Sequence, residues 1–217
     1  MATNRRLPTG PPLTALAPML LGEARPFDDP AWLYEIKFDG YRMLAEVDGP
    51  HVYLQSRNGA NATGWFPEVV GSLAGIGGGR HVIDGEMCVL DDIGRSDFNR
   101  LHARARMRGW RPGADPAAFC VFDLLVHAGK STMALPLIER KKRLTKLFSA
   151  TPPSTLVVGH FEGEGRALYD QAVQLRLEGI VAKRQASPYV PGQRSADWLK
   201  IKRPGATPAQ AFQREPF

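Results

Sequence analysis

Cysteine is almost missing from this chain: Cys88 and Cys120 are its only two, set far apart in the apolar runs GEMCVL and FCVFDLL. With no CxxC spacing and no secretory signal, a disulfide framework is excluded, and both thiols are expected to be reduced core residues of a cytoplasmic protein. Long apolar runs are lacking too. The opening MATNRRLPTGPPLTALAPML turns from basic to apolar, but prolines at 8, 11, 12 and 18 interrupt it. It reads as neither a signal peptide nor a membrane span, so no membrane partner is expected. There is no internal repeat, and the patterns GxGxxG and GxxxxGK[ST] are absent, which weakens a dinucleotide or P-loop reading.

What is present describes a globular protein with a basic bias. Of 217 residues 43% are hydrophobic and 23% charged, enough for one large domain or two small ones with a real core. Lys and Arg number 28 against 22 Asp and Glu, a net charge of +6 and a pI near 9.5. That balance favours a polyanionic partner without proving one.

The hydrophobic patterning alternates between two periods. Residues 1–13, rich in Pro and polar side chains, are expected to be disordered. LYEIK, RMLAEVD and HVYLQS alternate apolar and polar residues, with DGP marking a hairpin between the last two, so residues 34–49 read as consecutive strands of one antiparallel sheet. HVIDGEMCVLD predicts a strand pair or one long strand, and AFCVFDLLV a buried central strand. WFPEVVGSLAG predicts a short helix. SDFNRLHARARM predicts another, with Ser96 as N-cap, Phe98, Leu101 and Ala105 on one face and Arg100, Arg104 and Arg108 on the other. LPLIERKKRLTKLF is amphipathic with an imperfect face of Leu137, Arg140, Leu144 and Leu147 and a strongly basic polar side. GRALYDQAVQLRLEG turns Leu168, Ala172 and Leu175 inward, with Gly179 as a stop. GIVAKR and DWLKIKR close the series as strands. Strands interspersed with helices, with an early hairpin, predict an α+β fold of antiparallel sheets flanked by helices.

Four of these stretches put charges inside or beside apolar strands, where burial is costly unless the charges face a ligand or one another. They are EIKFDGYR, IDGEMCVLD, EGIVAKR and DWLKIKR. Alternation turns Glu35, Lys37 and Asp39 to one face, and Gly40 allows a turn that returns Arg42 to it. Lys200 and Lys202 likewise share a face. Together these cations could surround a phosphate, with Glu86 and Glu178 as hard oxygen ligands for a nucleotide-bound Mg²⁺. Taken singly, each has an ordinary reading: Lys37 as an edge-strand residue, Glu86 and Glu178 as exposed strand ends, Phe122 as core, the helix arginines as a solvated face.

As an ordered set the motifs say more. KFDGYR, SRNG at 56–59, DGEMCVLD, FCVFDLL, EGIVAK and WLKIK resemble, in order, the motifs of the nucleotidyltransferase (adenylation) domain of ATP-dependent DNA ligases, most similar to the ligase domain of bacterial end-joining enzymes. The resemblance runs from LAPMLL at 16 to IKR at 203, and implies a covalent nucleotidyltransferase, ATP-grasp-like domain over 14–203. It implies that Lys37 attacks the α-phosphate of ATP to give lysyl-AMP and pyrophosphate, and that AMP passes to the 5′-phosphate of a DNA nick before the 3′-hydroxyl seals the strand in repair or end joining. By the same resemblance Arg42, Lys200 and Lys202 assist Lys37, which at its solution pKa of ~10.4 would be protonated and unreactive unless nearby cations disfavour its charge. Glu35 matches the residue reading the adenine amino group, Phe122 the aromatic stacking on the base, and Arg57 and Glu86 residues near ribose and phosphate. Asp39 and Lys183 complete the nucleotide-binding set, and Glu86 and Glu178 the set for Mg²⁺ or Mn²⁺. Nicked or broken duplex DNA is the implied partner, and a bacterial cytoplasmic, nucleoid-associated location the implied setting.

Only PGATPAQAFQREPF follows Arg203, where full ligases carry an OB-fold domain and a domain needs at least ~50 residues. Residues 204–217 are therefore expected to be a tail without an OB-fold, leaving self-adenylation and sealing dependent on the chain itself or on a protein partner supplying that domain. Two other readings stand beside the ligase: an RNA ligase or capping-type nucleotidyltransferase, and a non-catalytic nucleotide- or nick-binding module.

Overall fold

The computed structural model describes residues 8–206. After a 3₁₀ turn at Leu13–Ala15 come strands β1 (Leu20–Glu23), β2 (Asp29–Ile36), β3 (Tyr41–Asp48) and β4 (His51–Ser56). A 3₁₀ turn at Thr63–Trp65 and helix α1 (Pro67–Leu73) lead to β5 (His81–Val89), α2 (Phe98–Arg106), β6 (Ala117–His127) and β7 (Lys130–Ser131). The chain continues through α3 (Leu137–Leu147), β8 (Thr155–Val157), β9 (Phe161–Gly163), α4 (Gly165–Gln174), β10 (Gly179–Arg184) and β11 (Arg194–Lys202). No helix among the described residues is long and apolar enough to cross a membrane.

The strands form two sheets, ordered β1-β11-β10-β2-β9 and β4-β3-β5-β6-β7, with β8 also pairing with β6. Most pairings are antiparallel, as the α+β expectation requires; β1 with β11 and β6 with β8 are parallel. One apolar layer lies between the sheets, built from Leu33, Leu44, Val82, Cys88, Cys120, Phe122 and Trp198. A second, with Met43, Ala45, Ile83, Leu101 and Phe119, backs the β3–β5–β6 sheet under α1 and α2. The third packs Leu168 and Ala172 of α4 on Trp32, Tyr34 and Ile201. Period-2 alternation decides membership: Met43, Ala45 and Val47 face outward while Leu44 faces the other sheet. Cys88 and Cys120 are both buried thiols, as expected.

The largest departure from the sequence reading falls at residues 34–49. These are not consecutive strands of one sheet: β2 pairs with β10 and β9, β3 with β4 and β5. The KFDG segment is the crossover between the two sheets, and only β3–β4 is the hairpin that DGP marked, with Gly49 at φ +57. Gly40 serves by its lack of a side chain rather than by a special φ, since a Cβ there would collide with the Met87 carbonyl oxygen.

Smaller expectations change as well. Residues 8–13, included in the segment expected to be disordered, are held in place: Gly10 N–H donates to Gly129 O, Ser131 N–H to Pro8 O, and Leu13 is buried. Residues 1–7 and 207–217 lie outside the described residues. The N-cap of α2 is Asp97, whose carboxylate accepts from Arg100 N–H, while Ser96 Oγ accepts from Asp39 N–H. Arg104 is buried rather than solvated, because Glu68 meets it with both oxygens at 2.8 Å. Leu175 lies beyond the end of α4 and is half exposed.

A close pair of histidines, His81 buried and His127 partly exposed, should make the fold sensitive to acid. His81 donates from Nε2 to Gly77 O at 3.1 Å and accepts Ala128 N–H on Nδ1, so it is held neutral, with the His127 ring 5.1 Å away. Burial, only partly offset by the Gly77 bond and Asp48, lowers the pKa of His81; burial, then His81, Arg143 and Lys146, lowers that of His127. An unfolded histidine titrates near ~6.5, so below that pH the unfolded chain binds protons that the fold refuses, and stability drops until the depressed folded pKa is passed. Melting temperature should therefore fall between pH 7.5 and 5.5, and fall less in His81→Gln. An equal fall in both proteins would remove the pair as the cause.

Candidate active site

β2, β10 and β11 lie side by side, and alternation aims one residue in two at the opposite sheet. Val181 stands opposite Glu35 on one side and Lys200 on the other, and Lys183 stands opposite Trp198. Arg42 and Glu86, paired neighbours on β3 and β5, face them across the gap with Phe122 of β6. The result is an open cleft lined by Leu21, Glu35, Ile36, Lys37, Phe38, Arg42, Glu86, Phe122, Val181, Lys183 and Trp198. Phe122 reaches it through an irregularity: Asp84 pairs with Asp123 and Gly85 with Val121, leaving Phe122 as the extra residue of a bulge. Bulges of this kind re-aim side chains beside functional sites.

Lys37 sits just past β2, its backbone N–H still bound to Gly179 O, and its Nζ donates to Glu178 Oε2 at 2.6 Å. Lys202 Nζ lies 2.9 Å from the other oxygen of Glu178. Of the four cations expected to cluster, Lys37 and Lys202 thus meet on one carboxylate. Lys200 turns to Glu23 at the rim, 2.7 Å away, and Arg42 is held by both oxygens of Asp84 at 2.6 and 2.7 Å. The expected cluster of bare cations is instead a set in which each carries a carboxylate, as desolvated charges require.

Glu35 is buried and grips two ammonium groups, Lys141 Nζ on Oε1 and Lys183 Nζ on Oε2, each at 2.7 Å. Burial pushes its carboxyl pKa up, but the two lysines outweigh that and hold it below the usual range. Burial lowers Lys183 to about 8 despite Glu35. Its Nζ stands 4.1 Å from the ring centres of both Phe122 and Trp198, while the Arg42 guanidinium lies 4.5 Å from Phe122. Asp39 is partly buried, and its pKa is raised by burial and then by Glu178. Arg57 is exposed and does not line the cleft; its backbone N–H donates to Arg42 O, which sets it beside the start of β3.

The carboxylates fit a divalent ion in a limited way. Glu178 Oε1 is buried and faces Lys202 Nζ at 2.9 Å without the alignment of a hydrogen bond, and Glu86 forms no ion pair among the described residues. Burial raises Glu86 to about 7, with Asp84 and Glu178 adding to the rise against Lys37 and Arg42. No group of three metal-ligating side chains occurs among the described residues, so Glu86 and Glu178 would share an ion with nucleotide oxygens and water, the usual habit of Mg²⁺.

Several site residues escaped the sequence reading: Asp84, Tyr189, Glu23, Lys141 and Trp198. Tyr189 donates from its hydroxyl to Asp84 Oδ2 at 2.7 Å and so backs the Arg42 pair. The only local signal was the imperfect face of α3. Arg140 and Lys141 point inward there because Asp123 and Glu35 wait beneath them. Of the basic face expected on α2, Arg100 pairs with Asp115 and Arg106 is exposed; Arg108, expected on that face, falls past the end of the helix at φ 47 and is exposed, as is Arg111.

Comparison with known proteins converges on one family. A model described as the ATP dependent DNA ligase domain matches residues 18–202. The multifunctional non-homologous end joining protein LigD of Pseudomonas aeruginosa is 38% identical over 173 residues, which cover 79% of this chain and 20% of that protein. The SPbeta prophage-derived DNA ligase-like protein LigB of Bacillus subtilis is 35% identical over 187 residues, covering 86% of this chain and 67% of that protein. Among solved structures, a mycobacterial DNA ligase D complexed with ATP and MES superposes with a TM-score of 0.77 at 31% identity, over 88% of this chain and 62% of that one. The ligase domain of M. tuberculosis LigD gives 0.75 at 32% identity, with the same coverage. Matched along most of its length, with the motif lysine at the floor of a cleft between two sheets, the chain belongs to the ATP-dependent DNA ligase domain family.

Proposed function

We propose that this chain is the adenylating part of a DNA-joining enzyme, with Lys37 as nucleophile. The observation that carries the reading is the position of Lys37 Nζ in the cleft, hydrogen-bonded to Glu178 and beside Glu35, Phe122 and Lys183. ATP enters with its base toward Glu35 and Phe122 and its α-phosphate at Lys37. The Nζ lone pair forms the N–P bond, the bond from the α-phosphorus to the bridging oxygen breaks, and pyrophosphate leaves. The ammonium must first lose a proton, and Glu178 Oε2 is the acceptor placed at Nζ. Lys202 and Arg42 stabilise charge on the phosphate. Mg²⁺ or Mn²⁺ at Glu86 and Glu178 would neutralise the triphosphate.

In the second step a DNA 5′-phosphate oxygen attacks the lysyl-AMP phosphorus and frees Lys37. In the third, the 3′-hydroxyl displaces AMP and closes the strand. Exposed Arg106, Arg108 and Arg111 offer phosphate contacts whose contribution falls with salt.

Incubation with ATP and either metal should give an adduct of the mass of AMP on the intact protein, removed by excess pyrophosphate. Adding nicked duplex should discharge it and yield sealed strand, with nicked RNA less effective. Absence of adduct with both metals would sink the adenylation reading. An adduct that no nick discharges would limit the chain to its first step.

A further inference from the structure

Lys141 lies outside every motif that points to adenylation and does not line the cleft, yet it holds two of the cleft's walls. It is 4% exposed, and its three protons have three acceptors: Glu35 Oε1 at 2.7 Å, Val158 O at 3.3 Å and Phe122 O at 3.4 Å. A buried ammonium is costly unless fully satisfied, and this one is satisfied by the carboxylate and the backbone carbonyl of the two residues placed to meet the nucleotide base.

We infer that Lys141 is a positioning residue that sets the choice of purine, by fixing Glu35 as an ionised, oriented carboxylate that accepts and never donates a hydrogen bond. The inference rests on the nucleotide reading of Glu35 given above. Lys183 occupies Oε2 from the cleft side and Lys141 occupies Oε1 from behind, so the plane of the carboxylate is pinned at both ends. Each oxygen keeps a further lone pair. An acceptor fixed there welcomes the 6-amino group of adenine and opposes the 6-oxo oxygen of hypoxanthine or guanine. Sites built around a committed hydrogen-bond partner discriminate strongly, because the wrong ligand leaves a buried group unpaired. Without Lys141 one oxygen of a buried carboxylate loses its counter-charge; the group can then turn or take up a proton, and as an acid it donates to a 6-oxo purine.

The test compares ATP with inosine triphosphate, which differs from it at position 6 of the base and the adjoining ring nitrogen. Adduct formation is followed as a single turnover, giving a limiting rate constant and a half-saturating nucleotide concentration, in the wild type, Lys141→Met and Lys141→Gln. Equilibrium binding of both nucleotides in a Lys37→Ala background gives the same comparison without chemistry. The wild type should prefer ATP. Lys141→Met should lose at least tenfold of that preference, mostly through a higher half-saturating concentration of ATP, with the limiting rate constant for the inosine nucleotide retained. Lys141→Gln, which keeps a donor for Glu35 but cannot serve all three acceptors, should fall between. An unchanged preference in either folded variant, equal losses for both nucleotides, or failure of both variants to fold would overturn the inference and leave Lys141 a stabilising residue. A wild type that forms adduct and binds neither nucleotide selectively also overturns it, whereas a wild type that forms no adduct at all counts against the adenylation reading.

Discussion

Lys37→Ala is expected to remove the AMP adduct entirely, a loss of at least about three orders of magnitude in adenylation rate. The cleft offers no good substitute. Lys200 and Lys202 are tied to Glu23 and Glu178, and Lys183, the other amine lining the cleft, is locked to Glu35 beneath two aromatic rings. Lys37→Arg should fail as completely, because a guanidinium does not give up its proton at working pH. Folding should survive: the Lys37 side chain is 18% exposed, and Glu178 retains Lys202 as counter-charge. Intact-mass analysis after incubation with ATP and metal, beside a thermal melt, separates these effects. A normally melting Lys37→Ala protein that carries AMP at wild-type stoichiometry would place the nucleophile elsewhere, and peptide mapping would ask first about Lys183.

Lys37 stood out from sequence through the ordered set of motifs to which it belongs, since taken singly it read as an edge-strand residue; strand patterning grouped it with its charged neighbours. Charges inside alternating apolar strands are improbable unless something offsets them, and strand period alone turned Glu35 and Lys37, or Lys200 and Lys202, to a common face. The alternation of β2, β3 and β4 was legible in the same way, and the hairpin at DGP announced itself by turn chemistry. Partners distant in sequence were not legible. Glu178 is 141 residues from Lys37, and Lys141 is 106 from Glu35. No local pattern encodes which carboxylate meets which cation, so a cluster of cations looked bare when each had its acid. The split between sheets at KFDG was hidden too, because a crossover and a tight turn both show a glycine beside polar residues; the tertiary approach of Met87 to Gly40 decides between them. Phe122 read as core from its apolar run, and only the bulge against Gly85 turns it into the cleft.

The Asp84–Arg42 pair carries the other large expected effect. Asp84 is fully buried and its two oxygens serve three donors, Nε and Nη2 of Arg42 and the hydroxyl of Tyr189. Burial opposes the charge of Arg42, yet Asp84 more than compensates and holds its pKa above the normal arginine value. Asp84→Ala would leave a guanidinium in the cleft wall without its counter-ion and a buried hydroxyl without its acceptor, a cost of about 3–5 kcal/mol. For a domain of this size that corresponds to a melting temperature lower by roughly 6–20 °C. Adenylation should fall with it even where the protein remains folded, since Arg42 can then swing off Phe122, 4.5 Å away, and lose its aim at the cleft. Arg42→Met with Asp84→Leu distinguishes the two consequences: removing both charges should recover much of the stability, because a buried pair contributes little beyond what apolar packing supplies, while adduct formation stays depressed. If Asp84→Ala melts within a degree or two of the wild type, the pair is not desolvated as the geometry requires. If the double variant regains full adenylation, Arg42 has no part in handling the nucleotide and its place in the cleft is structural.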